Sequence, residues 1–177
     1  MAFPLPAFPL AAKKLFGLND QVTGAKRSRA NALQELRLTR PVVRAGRKKL
    51  QKAWKELDLA EAARPPVPKA VVAAQAARAL ASENLDVAEA AKARAWEKLM
   101  QERKRVKKYS AKLNKVARAV RLLPELVVST RKEFAAAKVC HSYGFPGEVR
   151  IAPSVPDPLA GKLIEEGRER GMEVVEG

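Results

Sequence analysis

Among its 177 residues the chain has one cysteine, Cys140, and one histidine, His141. One thiol excludes an internal disulfide. A tetrahedral metal site needs four ligands, and this adjacent pair supplies two. A nucleophile needs a base beside it in space, whereas neighbours in sequence point apart. Glycines are few, and no phosphate-cradling loop is present; Gly144 and Gly147 flank Phe145-Pro146 and read as turn glycines. These absences predict no catalytic residues, no metal, no cofactor and no small-molecule substrate. No run of 18 apolar residues occurs, so no membrane-spanning helix is expected.

Acid is also in short supply. Lys and Arg number 35 against 19 Asp and Glu, for a net charge of +16. Such an excess repels itself unless an anion offsets it, and a polynucleotide does so by releasing its condensed counterions. The charge is concentrated. Residues 26–55 hold 11 basic groups and one acid, and residues 92–121 hold 12 and two. Residues 56–91 and 157–177 are each net acidic.

What is abundant is alanine. It supplies 32 of the apolar residues, and it buries little surface. A self-sufficient core is therefore not expected. Alanine, leucine, arginine and lysine are strong helix formers, so composition predicts an extended, all-α chain of long basic helices.

Punctuation divides it. Residues 1–24 read as an extended apolar arm, in which Ala2-Phe3-Pro4-Leu5 is echoed by Ala7-Phe8-Pro9-Leu10. Its Lys13 and Lys14 without acids before Asp20 suit an organelle-targeting segment, but the prolines oppose an amphipathic helix. Residues 25–63 form a basic helical segment, with a kink or break expected near Pro41. Residues 64–68 are a proline linker, and Pro68 suits the first position of the next helix. That helix covers 69–123, or about Pro68 to Leu123, and is basic in its second half. A short helix is expected over 124–140. The segment 141–177 reads as an extended, turn-rich tail with a helix from Pro158 to Arg170 ending at Gly171. Short strands are allowed at Glu148–Ile151 and at 173–175.

Two seams of apolar residues follow the 3/4 alternation of coiled coils. The first is Leu33, Leu36, Val43, Leu50, Trp54 and Leu57, with Arg40 and Arg47 filling its gaps. The second is Trp96, Leu99, Val106, Tyr109, Leu113, Val116, Val120 and Leu123. The two segments suit an αα-hairpin or coiled coil, with both tryptophans packed inside. Around these seams lie the residues expected to meet phosphates. They are Lys26, Arg27, Arg29, Arg40, Arg44, Arg47, Lys48, Lys49 and Lys52 in the first segment. In the second they are Arg103, Lys104, Arg105, Lys107, Lys108, Lys112, Lys115, Arg118 and Arg121. Cations along a helix hold polynucleotide backbone without reading its sequence. Arg40 and Arg47, on the expected seam, call for a phosphate or an acid on the facing helix.

The stretch Ala95-Trp96-Glu97-Lys98-Leu99-Met100-Gln101-Glu102-Arg103, within about residues 70–135, resembles the long-helix small-subunit accessory proteins of mitochondrial ribosomes. The resemblance lies in composition and periodicity and transfers no functional residue. It implies a structural role, with rRNA and other ribosomal proteins as partners and the mitochondrion as compartment. Two other classes fit the composition: a nuclear chromatin or DNA-packaging protein, and a coiled-coil scaffold subunit of an organellar complex.

Overall fold

The structure is a computed structural model that describes residues 8–63 and 67–177. Its elements are α1 (Leu10–Ala62), α2 (Pro68–Val120), β1 (Glu125–Val128), α3 (Arg131–Ser142), β2 (Glu148–Ile151), α4 (Asp157–Glu169) and β3 (Val174–Glu176). Helix accounts for 78% of the structure, so the helix-dominated class expected from composition holds despite the three strands. The chain divides into a sheet unit, Met1–Ala25 with Arg105–Gly177, and a hairpin unit, Lys26–Lys104.

Several expected boundaries move. The apolar arm gives way to helix at Leu10, and the rest of that expectation, residues 1–7, lies outside the described residues. The helix begins there because Pro9 is the last proline before Pro41, and the Pro9 carbonyl accepts the first bond, from the Lys13 amide at 3.2 Å. Burial of Ala12, Leu15 and Val22 then carries it through Asn19-Asp20 and Thr23-Gly24, which alone favour turns. Helix α1 also continues through Pro41, so of the kink or break expected there the break does not occur. Pro41 is exposed, and Leu36 and Val43 on either side are buried, so packing offsets the lost hydrogen bond. Of the proline linker, residues 64–66 lie outside the described residues; Pro68 opens α2, as its fixed φ favours.

The largest difference follows Pro124. The helix expected over 124–140 is instead β1 and then α3. Leu126, Val127 and Val128 make a short β-favouring run, and a capping box starts α3 just afterwards. Thr130 Oγ1 accepts the Glu133 amide at 3.2 Å, while Glu133 Oε2 accepts the Ser129 amide at 3.0 Å and its hydroxyl at 2.6 Å. The tail expected over 141–177 folds as β2, α4 and β3. The strand expected at Glu148–Ile151 is present, and the other is shifted by one residue to Val174–Glu176. Helix α4 begins at Asp157 and is followed by Gly171 in the left-handed region at φ 69°.

Within the sheet unit the strand order is β1-β2-β3, with both pairs parallel. Parallel neighbours need a crossover, and α3 and α4 supply the two. The register pairs Leu126 with Val149, Val128 with Ile151, and Val149 with Val174, so these five side chains share one face. Helix α4 lies so close to that face that a Cβ at Gly167 would collide with Val174 Cγ2. Phe134, Cys140 and Leu163 fill the same core, and Leu15, Val22, Leu113 and Val120 from α1 and α2 join it. Among the described residues, 23 buried side chains form one cluster, a larger core than the alanine-rich composition led one to expect.

The hairpin unit is built differently. Helices α1 and α2 pack antiparallel, and the buried cluster is Ala32, Leu36, Ala95 and Leu99. Along α1 the inward positions are Ala32, Leu36, Thr39, Val43, Gly46, Leu50, Ala53 and Leu57, each buried or half-buried. Along α2 they are Val71, Ala74, Arg78, Ala81, Leu85, Ala88, Lys92, Ala95, Leu99 and Glu102. Both series alternate by 3 and 4 without a break, the coiled-coil period. Many of these residues are small, so the backbones approach closely: a Cβ on Gly46 would lie 3.2 Å from Leu85 Cδ1.

Candidate nucleic-acid interface

The coiled-coil phase decides what faces out. Leu36, Val43, Leu50 and Leu57 of the expected first seam point inward, but Leu33, Arg40, Arg47 and Trp54 do not. Their places are taken by Ala32, Thr39, Gly46 and Ala53, one residue earlier. A one-residue slip turns a helix by about 100°, which moves a side chain from the seam to its flank. The same slip puts Ala95 inward and leaves Trp96 outside. Both Trp54 and Trp96 are 47% exposed, so neither is the packed seam residue expected of it. A search for large apolar residues misses a seam made of alanine, glycine and threonine. Thr39 fits because its hydroxyl donates to the Leu36 carbonyl at 2.9 Å. In the sheet unit the second seam holds: Leu113 and Val120 are buried, while Tyr109, Val116 and Leu123 pack against that core. Leu99 is buried and Val106 half-buried.

Flanking positions of antiparallel coiled coils pair across the interface, and here they do so on both sides. Arg47 Nη2 and Nε donate to Glu89 Oε1 at 2.7 and 3.2 Å, the facing acid called for at that position. Lys98 Nζ donates to Glu35 Oε1 and Oε2 at 2.8 and 3.0 Å. These pairs are solvent-exposed and worth under about 1 kcal/mol each. They fix register more than they stabilise.

All eighteen cations singled out from sequence are exposed. Lys26, Arg27, Arg29, Arg40, Arg44, Arg47, Lys48, Lys49, Lys52, Arg103 and Lys104 belong to the hairpin unit. Arg105, Lys107, Lys108, Lys112, Lys115, Arg118 and Arg121 belong to the sheet unit. Some of them also serve the fold: Arg47 pairs with Glu89, and Arg121 Nε donates to the Tyr143 carbonyl at 2.8 Å. Lys52 pairs within its own helix with Glu56 at 3.6 Å. Arg40, Arg44 and Lys48 line a groove around Pro41, and among the described residues no carboxylate stands within ion-pair distance of any of them. Charge of one sign gathers there without internal compensation.

A second groove, of about 400 Å³, adjoins it through the shared Arg40 and is lined also by Leu36, Arg47, Glu89, Lys92 and Trp96. Sequence reasoning missed it, because it exists only once Trp96 is turned off the seam. Trp54 has a different neighbour: the Arg78 guanidinium lies over its ring, 4.3 Å from the centroid.

Elsewhere the titratable groups serve the fold. Burial pushes the Cys140 thiol up to about 12, so it stays protonated at neutral pH and is a poor nucleophile. His141 beside it is half-buried. Burial alone would raise the Glu133 carboxyl, but the Ser129 hydroxyl and amide, the charge of Lys13 and the Thr130 hydroxyl together hold it below its ordinary value. The Lys138 ammonium donates to Glu166 and lowers that carboxyl likewise. Among the described residues no three His, Cys, Asp or Glu side chains converge as a metal ion requires. No described helix is long and apolar enough to cross a membrane.

Comparison with family models, with curated proteins and with solved structures finds no match to this chain.

Proposed function

We propose that the chain is a structural constituent of a ribosome, of the mitochondrial kind, that holds rRNA backbone against neighbouring proteins through its basic helices. The observation that carries this reading is the exposure of all eighteen cations while the small and apolar residues take the seam and the core. Lysine and arginine along a helix meet phosphates whatever the base sequence, which suits an architectural role. Double-helical RNA invites the same mode, since its deep groove is closed to side chains and its backbone is not. Neighbouring ribosomal proteins would meet the apolar residues left outside, such as Leu59 and Val72.

The test is a titration of the full chain with an RNA duplex over a range of salt. Six to ten phosphate contacts predict that affinity falls by roughly 10³–10⁵ between about 50 and 200 mM salt. Binding that ignores salt, or no binding, would end the reading. A tagged chain that co-sediments with mitochondrial ribosomal particles and leaves them at high salt is the expected cellular counterpart. Retention in chromatin with preference for duplex DNA would move the chain to the DNA-packaging class.

A further inference from the structure

We propose that the groove beside Trp96 binds one unpaired nucleotide of an RNA strand, its base stacked on the indole and its flanking phosphates held by Arg40, Arg44 and Lys48. This deepens the reading above and rests on it. Backbone contacts alone need only cations, but a half-exposed tryptophan at the edge of a cationic groove offers a second kind of contact.

Three observations converge. Trp96 is 47% exposed although a tryptophan on a coiled-coil flank can fold inward. Its indole stands beside Arg40, Lys92 and the aliphatic wall of Leu36 in a groove of about 400 Å³, within the size range of small-ligand sites. The one acid lining this groove, Glu89, is already engaged by Arg47, so the uncompensated charge there is positive. Arg40 is also part of the Pro41 groove with Arg44 and Lys48, so base and phosphate sites adjoin. Charge selects a polyanion over a neutral peptide, and the indole selects an unstacked base over a paired one. Trp54 serves as the internal contrast, because the Arg78 guanidinium already lies over its ring. Among the described residues no cation lies over that of Trp96.

The experiment uses the full chain with oligouridylate and with an RNA duplex as probes. Trp96→Ala should lower affinity for the single strand roughly tenfold and leave the duplex unchanged. Trp96→Phe should retain most of the single-strand affinity, and Trp54→Ala should lose far less than Trp96→Ala. Arg40→Gln should weaken both probes and flatten the salt dependence by about one contact. The chain has two tryptophans, so in a Trp54→Phe background oligouridylate should quench the Trp96 emission, a readout that folding alone does not supply. If Trp96→Ala binds both probes like the parent while salt-sensitive binding persists, the stacking site is wrong and the backbone-binding reading stands. If neither probe binds the parent chain, both fail together. If Trp96→Ala leaves RNA binding intact but abolishes binding to RNA-stripped ribosomal proteins, the groove belongs to a protein partner and the proposal is overturned.

Discussion

The sheet unit and the hairpin unit share helices α1 and α2 yet are held together by different means. In the sheet unit those helices contribute Leu15, Val22, Leu113 and Val120 to a cluster that also contains Phe134, Phe145 and Ile151. In the hairpin unit the same helices bury alanines, leucines and Val43, and the cluster shrinks to four residues. Stabilisation follows apolar area, so the sheet unit, with the larger buried cluster, gains more from it. The hairpin unit relies on close backbone approach and helix propensity while carrying 19 basic residues against nine acids. The sheet unit carries 16 basic residues against ten acids, so the larger excess of positive charge lies in the unit with the smaller core, and a surface crowded with like charges need not sit over a strong one.

The most severe way to break the contrast is Phe134→Ala. Phe134 is 1% exposed at the centre of the sheet unit, so its truncation should cost about 3–5 kcal/mol. The matching truncation in the hairpin, Leu36→Ala, should fall near the low end for leucine, about 2 kcal/mol, because so thin a seam readjusts more easily. Urea denaturation of both variants checks this; equal losses would dissolve the distinction. Pro41→Ala comes next and runs the other way. A proline within an exposed helix costs up to about 3 kcal/mol against alanine, so this variant should raise helicity and melting temperature of the hairpin in circular dichroism. No change would mean that the lost Pro41 amide is not the hairpin's weak point.

The smallest effect sharpens the comparison through pH. Glu133 is held below its ordinary carboxylate value in the sheet unit. A depressed carboxylate stabilises the fold above its unfolded value and loses that contribution as pH falls through the folded one. Acidification below the ordinary carboxylate value of 4.5 should therefore weaken the sheet unit at this residue. Glu133→Gln should remove that part of the acid sensitivity; stability curves of parent and variant that stay parallel down to about pH 3 would contradict it.

Periodicity makes Leu36, Val43, Leu57, Leu99, Leu113 and Val120 legible, because large apolar residues recurring at 3 and 4 line up as one stripe that water disfavours. It fails at Leu33, Trp54 and Trp96, where the inward neighbour is an alanine. Alanine occurs on every face of these helices and so carries no phase information. The cations are legible from composition alone, since water is their ordinary place. The groove beside Trp96 is not, because it depends on a rotation about the helix axis that only the partner helix fixes. Strand β1 was concealed by its setting: its four residues sit between helix-rich neighbours, and its clearest marker is the Thr130–Glu133 cap that begins the next element. Strand β2 falls at Glu148–Ile151, where the sequence allows a short strand after the turn that contains Gly144 and Gly147.

The tightness of the hairpin at Gly46 has an electrical side. Beside it Arg40, Arg44 and Lys48 gather around one groove, where physiological salt lets charges feel each other over roughly 8 Å. Their repulsion strains a seam that has little grip. Mobile ions relieve this strain and so would steady the free hairpin, yet the same ions compete for its cations against any long anionic chain. Steadying the helices and leaving their cations open are thus opposed responses to one solvent variable.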